Sequence, residues 1–86
     1  MTQSSLSVLV SAACTGCVQA LALATEFQRL RPDVPLEIVD VDAPGWQPPP
    51  GFAGTPMFYV GDTLMSYGNP ELSALLAAFP IKAVRT

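Results

Sequence analysis

Histidine occurs nowhere in this 86-residue chain. Its absence removes imidazole from every mechanism: no histidine general base, no histidine-ligated zinc, no Ser-His or Cys-His catalytic pair. Basic residues are almost as scarce, with four Lys and Arg against seven acids and a formal net charge of −3. The four cations, Arg29, Arg31, Lys82 and Arg85, are scattered. Nucleic acid and anionic membrane surfaces both call for a dense basic patch, so neither is an expected partner. Long apolar runs are missing too, and no segment approaches the ~18 residues of a membrane-spanning helix.

The N-terminal stretch is not read as a secretory signal. Met1 to Ser5 carries no Lys or Arg, and the short apolar run Leu6 to Val10 is interrupted by Ser7. A signal wants a positive start and an apolar stretch of roughly 7–15 residues. We therefore expect a cytoplasmic protein, and a monomer. Half of the residues are hydrophobic and only 13% are charged, a composition that folds and does not stay disordered. The length predicts a single domain over residues 1–86, with its core over about residues 6–79. A chain this short hides less than ~65% of its surface on folding, so that core must be thin.

The patterning predicts an α/β fold in βαβ-loop-ββα order. Leu6-Ser7-Val8-Leu9-Val10 reads as a buried strand. A helical pattern then runs to Arg31, with Ala20, Leu23, Phe27 and Leu30 as its apolar stripe and Pro32 as its stop. Arg29 and Arg31 fall in the last turn, where cations favour the negative helix end. Pro35 to Asp42 is the second strand, parallel to the first across the helical crossover. Ala43 to Gly54 holds four of the nine prolines, three glycines and Trp46, and reads as a long loop. Met57 to Val60 and Thr63 to Tyr67 follow as strands joined by a Gly61-Asp62 hairpin turn. Asn69 is placed to cap a last helix that begins at Pro70, shows Leu72, Leu75, Leu76 and Phe79 on its apolar face, and ends before Pro80. The six residues after Pro80 read as a frayed tail.

The two cysteines, Cys14 and Cys17, are separated by two residues and sit where the first strand gives way to the first helix. Unpaired N–H groups and the dipole at a helix start stabilise an anion, so Cys14 is expected to titrate below a free thiol and act as the nucleophile. Cys17, one turn further in, is placed to resolve a mixed disulfide on Cys14. Thr15-Gly16 is a small, flexible pair that lets a partner reach Cys14. No cation or aromatic stands beside the pair, so the helix start must do most of the activation. Two thiolates leave a zinc site two ligands short. Cu(I), a soft ion, manages with two, so a copper carrier stays open as the alternative, together with a redox-responsive interaction domain.

Four features taken in order resemble the thioredoxin-like superfamily, nearest to its small glutaredoxin-like members. They are Cys14-Thr15-Gly16-Cys17 after the first strand, the strand Glu37 to Asp42, Gly54-Thr55-Pro56 before the third strand, and Tyr67-Gly68 before the last helix. The resemblance spans roughly Leu6 to Phe79. It implies a four-stranded mixed sheet of order 2-1-3-4 and thiol–disulfide oxidoreductase activity on protein or small-molecule disulfides. It also implies a reductase or thiol donor as second partner, with glutathione as a candidate reductant and no resident cofactor. In that superfamily the proline facing the cysteines is cis, and the residue before it offers backbone hydrogen bonds to substrate. The resemblance carries this role onto Pro56 and Thr55, and X-Pro is the one peptide bond for which cis is cheap. Gly68 would meet a backbone requirement before the last helix or contact a glutathione-like ligand.

The chain departs from that superfamily at several positions. Ala13 stands before the first cysteine where thioredoxins usually have Trp, and Val8 stands about where they have a buried acid. No Lys or Arg lies near the motif to hold glutathione's carboxylates, and the proline-rich loop replaces the helix that normally follows the second strand. The copper-chaperone fold is a second resemblance. Its usual Met two residues before the first cysteine is Ala12 here, it ends in a strand, and it has no counterpart of Thr55-Pro56.

Other residues have two readings each. Trp46 either contacts a partner beside the cysteines or caps the thin core, and Phe52 is expected to pack. Asp40 and Asp42 read as solvated or capping acids, since alternate strand residues do not make a metal cage. Pro48 to Pro50 lacks the flanking basic residues of a polyproline ligand.

Overall fold

The computed structural model describes residues 5–80; the tail expected from Ile81 to Thr86 lies outside them. The elements are β1 (Leu6–Val10), α1 (Cys17–Leu30), β2 (Leu36–Asp40), β3 (Met57–Val60), β4 (Thr63–Tyr67) and α2 (Leu72–Ala78). They form one four-stranded mixed sheet ordered β2-β1-β3-β4. β1 is parallel to β2 and antiparallel to β3, and β3 is antiparallel to β4. This is the expected α/β arrangement and strand order. No helix among the described residues is long and apolar enough to cross a membrane.

Alternation along β1 sorts the core onto two faces. Leu6, Val8 and Val10 point to the helical side, where they meet Cys17, Ala20, Ala24 and Phe27 of α1, Phe58 of β3, and Leu75 and Phe79 at the end of the chain. Phe27 and Phe79 join the two helices with ring centroids 5.4 Å apart. Leu9 points the other way and packs with Met57 and Tyr59 beneath Trp46 and Phe52 of the proline-rich loop. Trp46 therefore covers the second face of the sheet and does not line the pocket at the cysteines. A loop does here what a helix does on the other side.

Four local expectations are corrected. The buried stripe of α1 is Cys17, Ala20, Ala24 and Phe27; Leu23 is partly buried and Leu30 is 40% exposed. The period was legible, but its phase is set by Cys17, which enters the core as the first residue of the helix. Arg31 is not an exposed dipole partner. It lies past the last helical residue, 7% exposed, with its guanidinium forked onto the Asp33 carboxylate at 2.9 and 2.7 Å and donating also to the Phe79 carbonyl. The Asp33 carboxylate raises the Arg31 pKa further above its already high value. One buried cation thereby ties the end of α1 to the end of α2. β2 stops at Asp40 and does not run to Asp42, because the Asp40 carboxylate accepts the Asp42 N–H at 2.9 Å and turns the chain.

The last helix is the fourth correction. It begins at Leu72 with Glu71 at the N-cap, two residues later than Asn69 would place it. Asn69 and Pro70 belong to the non-helical segment ahead of it. Leu75 and Phe79 are fully inside, while Leu72 and Leu76 are half-buried.

Candidate functional site

The site forms where β1 ends, because three chain segments converge there. Ser11 follows β1, and its hydroxyl shares a 2.9 Å hydrogen bond with the Thr55 hydroxyl. The next residue, Ala12, donates its N–H to the Asp42 carboxylate at 3.3 Å. These two contacts tie the turn before α1 to the approach of β3 and to the turn after β2. Asp42 therefore pins the turn and caps no helix, since α1 begins at Cys17 with no side-chain cap. No group of three or more potential metal ligands occurs among the described residues.

Within the turn, Cys14 and Cys17 are joined by a disulfide, with Cα atoms 5.3 Å apart, well inside the usual range for such bonds. The Cys17 N–H donates to the Cys14 carbonyl at 3.3 Å. The two sulfurs differ in access: Cys14 is half-buried, whereas Cys17 is 4% exposed and belongs to the core. Cys14 was expected at the helix start itself. It lies one turn before it, with Gly16 as the N-cap residue and Cys17 as the first helical residue.

Facing the turn is the peptide bond Thr55-Pro56, which is cis, as the resemblance implied. Pro56 is buried, and its carbonyl accepts the Gly68 N–H at 2.9 Å. Gly68 has φ +95°, a conformation that L side chains avoid, so its glycine is required by the backbone. A Cβ on Gly16 would come within 3.4 Å of Pro56 Cδ. That is an ordinary van der Waals separation, so the cysteine turn already lies against the proline.

These residues line one open pocket of about 490 Å³. Six of the seven site residues named from the sequence are on its wall: Cys14, Thr15, Gly16, Thr55, Pro56 and Gly68. Cys17 is the exception, being underneath in the core. Apart from the cysteine, no lining residue among the described residues is ionisable. The pocket offers hydroxyls, an amide and bare backbone, a surface suited to a neutral stretch of chain more than to a charged small molecule.

Sequence reasoning missed Asn69 as a site residue. Its side-chain amide donates across 53 residues of sequence to the Gly16 carbonyl at 3.1 Å, and it lines the pocket. The same carbonyl accepts the Ala20 N–H at 3.0 Å, the first hydrogen bond of α1. Asn69 is therefore a positioning residue for the cysteine turn. Its sequence signal, Asn followed by Pro, is also that of a helix cap, and nothing local tells the two apart. Removing the amide in Asn69→Ala should cost about 1 kcal/mol of stability. It should also shift the reduction midpoint of the cysteine pair, which Asn69→Asp, lacking the donor, reproduces and Asn69→Gln partly restores. A midpoint unchanged in all three variants rules out the positioning role.

No protein-family model matches this chain, and no curated protein matches it. The fold and the site define a mixed α/β protein with a cysteine pair in CxxC spacing at disulfide distance, an arrangement compatible with a redox motif.

Proposed function

We propose that the protein is a thiol–disulfide oxidoreductase of thioredoxin-like fold. The observation that carries this reading is the half-exposed Cys14, bonded to a buried Cys17, on the wall of a pocket whose opposite side is the cis Thr55-Pro56 bond. In the reduced protein the Cys14 thiolate attacks a substrate disulfide. One substrate thiolate leaves, and the other sulfur stays on Cys14 as a mixed disulfide. Cys17 then attacks the Cys14 sulfur, releasing the second substrate thiol and closing the Cys14–Cys17 bond. Two electrons have moved from protein to substrate, and a second dithiol or a reductase returns them. Thr55 aligns the substrate chain through its backbone, and Thr15 and Gly16 leave room for it. We place the protein in the cytoplasm, acting on disulfides of proteins or small thiols as a monomer.

Activation of Cys14 falls to the N–H groups at the start of α1, since nothing ionisable shares its pocket. The thiol should accordingly titrate below the value of free cysteine. Iodoacetamide alkylation of the reduced protein across pH reads this directly, and a Cys14 thiol that titrates with or above free cysteine removes the reading. A glutathione redox series then gives the direction of flow. A potential near about −270 mV assigns reduction of substrates, and one near about −120 mV assigns their oxidation. Stoichiometric Cu(I) on protein purified under reducing conditions, with no disulfide exchange, would replace the enzyme by a metal carrier.

A further inference from the structure

The second face of the sheet carries a groove that the pocket at Cys14 does not reach. Strand register aligns its floor in two rows. Val39, Leu9 and Met57 lie side by side across β2, β1 and β3, and so do Glu37, Ser7 and Tyr59. Trp46 and Phe52 pack over Leu9, Met57 and Tyr59. The second row, with Leu9 and Val39 of the first, lines an open groove of about 510 Å³ that runs out to Asp62 in the β3–β4 turn.

Its wall is built in advance of any ligand. The Tyr59 hydroxyl donates to the Pro50 carbonyl at 2.9 Å, the Phe52 N–H donates to the Pro49 carbonyl at 3.1 Å, and Trp46 meets Phe52 edge-on at 5.0 Å. Prolines have no N–H to offer, so this wall presents carbonyls, ring edges and apolar faces. Glu37 and Asp62 are both exposed, and no Lys or Arg among the described residues lines the groove. The cations among the described residues are already engaged elsewhere, Arg29 with Glu26 and Arg31 with Asp33.

An indole face, proline rings and two carboxylates with no basic residue between them suit one chemistry: a cation on an apolar stem. A row of three strands spans ~10 Å, the reach of about three residues of extended chain, so the groove exceeds a single small ion. We propose that this groove docks a basic stretch of a partner polypeptide, whose Lys or Arg stems lie on Trp46 and the prolines while their charges face Glu37 and Asp62. Binding itself does not rest on the redox reading.

Trp46 is the single tryptophan of the chain, and its fluorescence therefore reports the groove. The acetylated, amidated peptide Ac-RLRLR-NH2 should change that fluorescence saturably, with affinity falling as NaCl rises from about 20 to about 300 mM. Ac-ELELE-NH2 should leave it unchanged. The double variant Glu37→Gln/Asp62→Asn should bind the basic peptide about 10-fold more weakly while exchanging a small disulfide at the unaltered protein's rate. A silent Trp46, or full affinity in the double variant, overturns the proposal. So does spermine bound as tightly as the peptide, which would make the groove a site for a small polycation.

Discussion

If the protein exchanges disulfides as proposed, replacing Cys14 by Ser should reduce exchange to the rate of buffer alone, whereas replacing Cys17 by Ser should leave a protein that reacts once and stops. The difference follows from where the sulfurs lie. Cys14 opens onto the pocket, and Cys17 is 4% exposed in the helical-side core, so an incoming disulfide meets only the first. Without Cys14 there is no accessible thiol among the described residues, because the pair contains both cysteines of the chain. Without Cys17 the mixed disulfide on Cys14 persists. It should accumulate as a one-to-one adduct in intact mass spectra and disappear on adding dithiothreitol.

The resolving step is also expected to depend steeply on pH. Val8, fully buried, shares the apolar cluster with Cys17, so no acid lies there to take the Cys17 proton. Resolution needs the Cys17 thiolate, and its fraction falls as pH falls. Adduct should therefore be detectable even in the unaltered protein at mildly acid pH. Activity surviving in Cys14→Ser, or adduct forming on Cys17 in that variant, would reverse the assignment of roles.

The second large effect is on folding. Phe27→Ala should cost about 3–5 kcal/mol, in a domain whose total stability by length is about 4–13 kcal/mol. Phe27 has no exposed surface and connects α1 to α2 through Phe79. Its neighbours on the buried stripe are Ala20 and Ala24, side chains too short to move into the space it would leave. With so little core elsewhere, the cavity persists. At an m-value of about 1 kcal/mol/M, the urea midpoint should drop by about 3–5 M at unchanged m. A loss below about 1 kcal/mol would mean that the helices do not depend on this contact. Leu30→Ala, which removes a side chain left 40% exposed, serves as the mild comparison.

How much of this was legible beforehand depends on whether a feature is local. β1, β3 and β4 were readable to the residue, because short β-branched and aromatic runs between glycine and proline punctuation leave few alternatives. The cysteine pair was placed between β1 and α1 for the same reason, although α1 starts at Cys17 and leaves Cys14 one turn ahead of it. Features that hinge on a distant partner were not readable. Asn69 and Pro70 form a helix-start signal in isolation, yet the Asn69 amide is taken by the Gly16 carbonyl, and α2 starts later. The phase of α1 was misjudged by one step, because only packing shows that Cys17 faces inward.

Composition and order by themselves settled the element sequence, the absence of imidazole chemistry and the two sulfurs on which any redox chemistry must turn. These are properties of adjacent residues, whose dihedral preferences and periodicities act over a few positions. Folding in three dimensions decided which sulfur is exposed, that Thr55-Pro56 faces it, that Arg31 is enclosed between helix ends, and that Trp46 covers the far side of the sheet. Each of those depends on segments separated by tens of residues, and only the competition for buried space brings them together.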